Sequence, residues 1–220
     1  MLVLNARQQD KYMKDIRQEY HAEGLDESQL LADPVAQARL WVQQAIEAEL
    51  PVANAMSLAT VNAAGQPSCR TVLLKDVEDG GFVFFTHYDS RKGRDIADNP
   101  QVALTFFWPA FDRQIQILGR AEAVSRQVSE DYFHSRPYGS QVSAAISPQS
   151  QPVTEGWLEQ QVAQCQQQYP QRPVPLPERW GGYRVIPSEI EFWHGRPSRL
   201  HDRIRFIRQG DHWQTCRLAP

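Results

Sequence analysis

Between residues 55 and 218 the chain repeatedly alternates apolar with polar residues over short stretches, and most of the links between those stretches are only a few residues long. Residues 55–61 are followed by N-A-A-G-Q-P, residues 68–75 by D-V-E-D-G-G and residues 82–86 by H-Y-D-S, all of it turn chemistry. Further strands are predicted at 102–108, 113–124, 183–186 and 189–193. A terminal hairpin is predicted from 204–208 and 212–218, turning at Gln209-Gly210-Asp211. A parallel sheet needs long crossovers, which these links cannot supply. The pattern therefore predicts an antiparallel sheet that closes on itself, a small barrel, in a mainly β chain with helical additions.

The helices interrupt that run. Asp33 and Pro34 read as N-cap and first helical residue, and Val35, Ala38, Leu40, Trp41, Ala45 and Ile46 give the following helix a core-facing side before Pro51. Others are predicted at 90–98, 125–135 and 154–169, the last followed by a proline-rich surface strap over 170–177. Residues 10–21 read as a short polar helix with Tyr12, Ile16 and Tyr20 at steps of four and Gly24 as its stop. With so little apolar surface it must dock or act as a lid. The expected organisation is an N-terminal helical segment, 1–32, ahead of a single domain, 33–220.

Composition narrows the function classes. At 220 residues with 41% hydrophobic content the chain can bury one ordinary core, and its net charge of −3 lacks the basic excess of a nucleic-acid binder. No apolar run reaches the length of a membrane span, and Met1-Leu2-Val3-Leu4 is too short for a signal sequence, so the cytoplasm is expected. Cys69, Cys165 and Cys216 lie too far apart for a Cys-x-x-Cys motif and are odd in number, so they read as reduced thiols. The six histidines show no metal-ligand spacing, and no G-x-S-x-G, G-x-G-x-x-G or P-loop occurs.

Four stretches concentrate cations and hydroxyls. Ser90 caps a helix whose first turn holds Arg91 and Lys92; cations there oppose the helix dipole unless an anion sits over the free amides, although a tolerated basic turn is the alternative. Arg70 and Lys75 are five residues apart, which puts them on opposite faces of a regular strand. Either a bulge intervenes, or they serve two ligands, or they mark two ends of one site. Tyr132 and Arg136 share a helix face, and Pro137 would halt that helix so that Ser140 folds back beside them, giving a compact donor set for a phosphate dianion. Finally, I-E-F-W-H at 190–194 is a strand that empties into a loop. There Arg199, His201 and Arg203 recur at every second position and would share one side of an extended backbone, two planar donor forks around an imidazole. A solvated loop with an Asp202 ion pair is the bland alternative.

The pattern I-E-F-W-H-x4-R-L-H-D-R resembles the signature of the pyridoxine (pyridoxamine) 5'-phosphate oxidases. The likeness extends through R-T-V-L-L-K, S-R-K, R-Q-I, Y-F-H-S-R-P, W-G-G-Y-R and the terminal R-L-A-P, from about Arg17 onward. The resemblance implies an FMN-binding split barrel and a homodimer with flavin at the subunit interface. It also implies oxidation of pyridoxamine 5'-phosphate or pyridoxine 5'-phosphate to pyridoxal 5'-phosphate by O2, with H2O2 as product. By that resemblance Arg70 holds the flavin phosphate, with Thr71, Val72, Leu73, Leu74, Lys75, Phe85, Thr86, Ser90, Arg91 and Lys92 also on the cofactor side. Gln114, Gln149, Ser150, Trp193 and Arg203 match positions that line the flavin. Lys75, Tyr132, Arg136 and Ser140 match the clamp on the substrate phosphate, Arg199 and His201 the pair on the substrate ring, and Arg17 and Tyr20 the N-terminal contacts. Phe85 departs from the tyrosine frequent in relatives and removes a hydroxyl. Two other readings compete: a related FMN oxidase of another small aromatic, as in phenazine assembly, and a non-catalytic flavin or pyridoxal phosphate binder.

Overall fold

The computed structural model describes residues 19–20, 24–170 and 173–220, so Arg17 and the helix expected at 10–21, Tyr20 apart, lie outside the described residues. Nine strands form one antiparallel sheet: β1 (Ala55–Val61), β2 (Pro67–Leu73), β3 (Asp76–Glu78), β4 (Gly81–His87), β5 (Gln101–Trp108), β6 (Arg113–Ala123), β7 (Trp180–His194), β8 (Asp202–Gln209) and β9 (His212–Leu218). They pair in the order β2-β1-β5-β6-β7-β4-β3, with β8 on β7 and β9 on β8. Between β2 and β3 the Lys75 amide donates to the Val83 carbonyl on β4 at 2.8 Å, which brings the two ends of that order together.

Alternation along the strands sets the interior. Met56 and Leu58 of β1, Leu104 and Phe106 of β5, and Ile115 and Ile117 of β6 point inward with Phe84, Ile190, Phe192, Ile204 and Phe206. Helix α1 (Pro34–Glu47) packs Ala38, Trp41, Val42 and Ala45 against them, and the Asp33 side chain accepts the Val35 amide as its cap. Leu25 joins this core ahead of the boundary placed at residue 33. Four more helices follow: α2 (Arg91–Asp98), α3 (Arg126–Ser135), α4 (Tyr138–Ile146) and α5 (Trp157–Gln168). The last three build a separate apolar cluster from Phe133, Val142, Ala144 and Cys165, joined by Trp180 of β7. The proline-rich strap is more than a surface connector, since Val174 is fully buried in that cluster and the Arg126 guanidinium donates to the carbonyls of Leu176 and Pro177.

Three local expectations are corrected. The runs at 183–186 and 189–193 are one long strand, because a register shift at Leu118/Gly119 leaves Ser188 unpaired next to Pro187, which has no amide to donate. Along one edge β7 keeps β6 from Tyr183 to His194; along the other it gives its first half to β4 and its second half to β8. Residues 76–78, read as turn, pair with β4 as a short strand. Pro137 does end α3, but it also caps a second helix, α4, where only a returning loop was expected.

Gly119 sits where a Cβ would lie 2.4 Å from the Ile186 carbonyl oxygen, so any side chain forces the two strands apart at the bulge. Gly119→Ala should therefore lower stability by ~1–3 kcal/mol, read as a reduced urea midpoint with an unchanged slope.

Candidate active site

A cleft of about 710 Å³ opens between the β2–β4 wall of the barrel and the helical cluster, a size suited to a cofactor or small-molecule ligand. At one end Lys92 is only 8% exposed, and its ammonium donates to Thr86 Oγ1 (3.0 Å), Gln149 Oε1 (3.0 Å) and Ser90 Oγ (3.4 Å), all neutral acceptors. Burial, and secondarily the nearby Arg70 guanidinium, pulls the Lys92 pKa down to about 8. Ser90 is fully buried as the α2 cap, its hydroxyl accepting the Gly93 amide at 3.2 Å. Arg91 is exposed and does not line the cleft, so of the two first-turn cations only Lys92 turns inward.

Arg70 reaches the same end from β2. Its guanidinium donates to the Leu58 carbonyl (3.1 Å), to Thr60 Oγ1 (2.7 Å) and to Ser68 Oγ (2.5 Å), and both hydroxyls donate on to Asp95 Oδ2 at 2.6 and 2.9 Å. Burial alone would raise the Asp95 pKa, but those hydroxyls and Arg70 hold it below the usual carboxylate range. A fixed carboxylate thus orients Arg70 through two hydroxyls and leaves Lys92 without one. The separation of Arg70 and Lys75 resolves at Leu74, which leaves the ladder, donates its amide to Asn54 and buries its side chain. With the alternation broken there, Lys75 lines the same cleft as Arg70, alongside Thr71, Val72 and Leu73.

The other end is aromatic and basic. Phe85 stacks on Tyr132 with ring centroids 3.9 Å apart and on Trp180 at 5.6 Å. Lys75 Nζ lies 5.9 Å from the Tyr132 ring centroid and the Arg136 guanidinium carbon 5.0 Å from that of Trp180, so two cations approach one aromatic layer. Burial lowers the Arg136 pKa, yet a guanidinium stays charged. Arg136 is the C-cap of α3 rather than part of the helix, with Ser140 in the first turn of α4. Both line the cleft with Tyr132, Gln149 and Ser150.

The remaining nominated residues gather elsewhere. Gln114 opposes Trp193 across β6 and β7, and Trp193 opposes Arg203 across β7 and β8, forming a row none of whose members lines the cleft of the same chain. Arg203 makes a bidentate pair with the buried Glu191, at 2.8 and 2.9 Å. The extended path supposed for 199–203 is not what forms, because Ser198 and Arg199 have positive φ within a short 3-10 turn. Arg199 is therefore exposed on a tight corner instead of alternating with His201 and Arg203. His201 Nδ1 accepts the Arg196 amide at 3.1 Å, so the neutral ring keeps its proton on Nε2. Burial, and then Arg199, lowers its pKa below the usual histidine value. Tyr20 stands edge-on to both Trp193 (5.3 Å) and His201 (5.2 Å).

Sequence reasoning missed Thr60, Ser68 and Asp95, which face Arg70 from two strands and a helix. Ser68 at two residues before Arg70 was the available signal, since both occupy the same face of β2. Trp180 was visible within W-G-G-Y-R, yet nothing local marks it as the floor beneath Arg136.

Fold and site together define a split-barrel protein built around a cleft lined by cations, hydroxyls and aromatic rings. The model of the pyridoxamine 5'-phosphate oxidase family matches residues 42–169, and that of the pyridoxine 5'-phosphate oxidase C-terminal dimerisation region matches residues 180–220. The pyridoxine/pyridoxamine 5'-phosphate oxidase of Alcanivorax borkumensis is 63% identical over 94% of this chain and 100% of its own length. That of Thermosynechococcus vestitus is 51% identical over 94% and 98%. Among solved structures, PhzG of Burkholderia lata, crystallised with tetrahydrophenazine-1-carboxylic acid, superposes with a TM-score of 0.84 at 28% identity, covering 90% of this chain and 99% of that one. A pyridoxamine 5'-phosphate oxidase-related, FMN binding protein of Nostoc punctiforme shares the fold at a TM-score of 0.68 and 18% identity, over 83% and 97% of the two chains. The chain belongs to the pyridoxine/pyridoxamine 5'-phosphate oxidase family of oxidoreductases and forms a homodimer through its C-terminal region. Among the described residues no helix is long and apolar enough to cross a membrane.

Two outcomes are expected for the basic end. Lys92→Ala should weaken binding of a phosphate monoester by ~1.5–3 kcal/mol while Arg91→Ala changes it by less than about 0.5, measured by calorimetry. In the empty cleft Lys92 loses its proton as pH rises through about 8, so affinity should fall above that pH and Lys92→Ala should flatten the profile.

Proposed function

We propose that the protein is an FMN-dependent oxidase that converts pyridoxamine 5'-phosphate or pyridoxine 5'-phosphate into pyridoxal 5'-phosphate, with O2 as acceptor and H2O2 as product. What supports this reading most is one cleft with two different phosphate grips: Arg70, Thr86, Lys92 and Gln149 at one end, and Lys75, Tyr132, Arg136 and Ser140 at the other. One ligand with one phosphate would need only one of them. The donor set fits FMN, because a buried ammonium with neutral partners and a guanidinium pre-oriented by Asp95 favour a dianion in the space beside them.

When bound, FMN supplies a hydride acceptor that dioxygen reoxidises. The protein contributes position. Arg70, Thr86, Lys92, Gln149 and Ser150 hold the flavin phosphate, and Thr71, Val72 and Leu73 border the flavin along β2, while Leu74, expected with them, turns its side chain away from the cleft. Lys75, Tyr132, Arg136 and Ser140 clamp the substrate phosphate, fixing the distance from that phosphate to the reacting carbon. The row Gln114, Trp193 and Arg203, with Arg199 and His201, reaches the cleft from the partner subunit, which explains why no single chain brings the two groups together. Arg199 packs over the substrate pyridine, while His201, neutral and carrying its proton on Nε2, donates to the ring's 3-oxygen. Neither is required as a base. Arg17 and Tyr20 close over the ring as part of a lid spanning residues 1–32, ahead of the oxidase domain of 33–220. The cytoplasm is the inferred location.

The likeness to PhzG favours a second reading, oxidation of another small aromatic. An aerobic assay with both phosphorylated substrates, following flavin absorbance and pyridoxal 5'-phosphate together, separates the readings. Turnover supports the first. Flavin binding without aldehyde from either substrate overturns it and leaves the second reading or a non-catalytic binder. Arg199→Ala should cut kcat/KM by ~100-fold, about 2.7 kcal/mol, with flavin content unchanged. Loss of flavin instead would mean that Arg199 serves the cofactor.

A further inference from the structure

The Asp202 carboxylate is 7% exposed and lies one residue beyond His201, at the start of β8. It accepts the Leu25 amide at 2.9 Å from the opposite end of the chain, Arg217 Nη1 at 2.6 Å from β9 and Arg196 Nη1 at 3.4 Å. Arg217 completes the ring, since its Nη2 donates to the Leu25 carbonyl at 3.1 Å, so both backbone polar groups of Leu25 are tied to one ion pair. Burial alone would raise the Asp202 pKa, but the Leu25 amide, Arg196 and Arg217 hold it below the usual carboxylate range. Next to it, Gly24 has φ +115°, and a Cβ there would come within 3.0 Å of Asp202 Oδ2. Four residues earlier Tyr20 lies against Trp193, His201 and Gly195, where an added Cβ would come 2.5 Å from the Tyr20 ring.

We propose that Asp202 and Arg217 form a latch that fixes Leu25 on the C-terminal hairpin and thereby sets Tyr20 against His201, making both of them positioning residues for the substrate ring. The inference rests on the proposed function, which puts His201 and Tyr20 on the substrate. A fold-stabilising ion pair would need only Asp202 and Arg217; what singles out this one is that, besides Arg196, it engages both the amide and the carbonyl of a single residue at the root of the N-terminal segment. The latch joins Leu25 and Arg217, 192 residues apart in sequence, so no local preference can substitute for it. The charged groups around Asp202 are Arg196 from the loop after β7 and Arg217 from β9, with Glu27 beyond Arg217 at 3.9 Å.

The test is a double-mutant cycle on the FMN-loaded dimer. Arg217→Ala should raise KM for the phosphorylated substrate about tenfold while kcat and flavin content change less than about twofold, and Arg217→Lys should recover part of the loss. In a chain lacking residues 1–22, Arg217→Ala should have no further effect on KM. An equal effect with and without those residues, or an unchanged KM in the full chain, overturns the latch. If the unaltered protein oxidises neither substrate, the proposed function has failed and the latch is read separately: loss of hydrogen-exchange protection at the Leu25 amide in Asp202→Ala supports it, and unchanged protection overturns it.

Discussion

An ammonium group withdrawn from water with only neutral oxygens around it is costly, and Lys92 is such a group. The cradle that holds it cannot relax. Thr86 is set by the β4–β7 ladder, Ser90 by its role as the α2 cap, and Gln149 by hydrogen bonds to both Thr86 and Lys92. The depressed pKa records the strain, and a bound phosphate would relieve it.

The treatment of the neighbouring cation is the opposite. Arg70 has a counter-charge, but at one remove: Thr60 and Ser68 stand between it and Asp95, accepting from the guanidinium and donating to the carboxylate. Such a relay orients Arg70 without neutralising it at close range, since the direct approach to Asp95 is 3.8 Å. Pre-organisation of this kind lowers the entropy lost on binding. The aromatic layer of Phe85, Tyr132 and Trp180 does comparable work for Lys75 and Arg136, and there the missing hydroxyl of Phe85 has a structural sense, because an apolar ring stacks against two others.

The separation of the two groups of residues follows from how β7 is used. Its first half belongs with β4 and the cleft; its second half, past the bulge, belongs with β8 and the C-terminal hairpin. Residues that a linear motif lists together, such as Trp180 and Trp193, thereby end on different parts of the molecule. That second half lies within 180–220, the stretch that matches the family's C-terminal dimerisation region.

Much of this was legible in the chain. Strand alternation and short links implied an antiparallel barrel; Asp33-Pro34 and Ser90 marked helix starts to within a residue, since caps and periodicity are local properties of the backbone. The long motifs placed the protein in its family. What local chemistry could not reveal was which side chains meet. Leu74 breaks the alternation because Asn54, twenty residues away, takes its amide, and only that break puts Lys75 beside Arg70. Arg91 and Lys92 are equivalent in sequence, yet the wall of β4 admits one and leaves the other in solvent. Periodicity and turn chemistry, which act over a few residues, thus determined the elements and their order. Tertiary packing decided the contacts, because burial and long-range hydrogen bonds between distant strands set where each charge could rest.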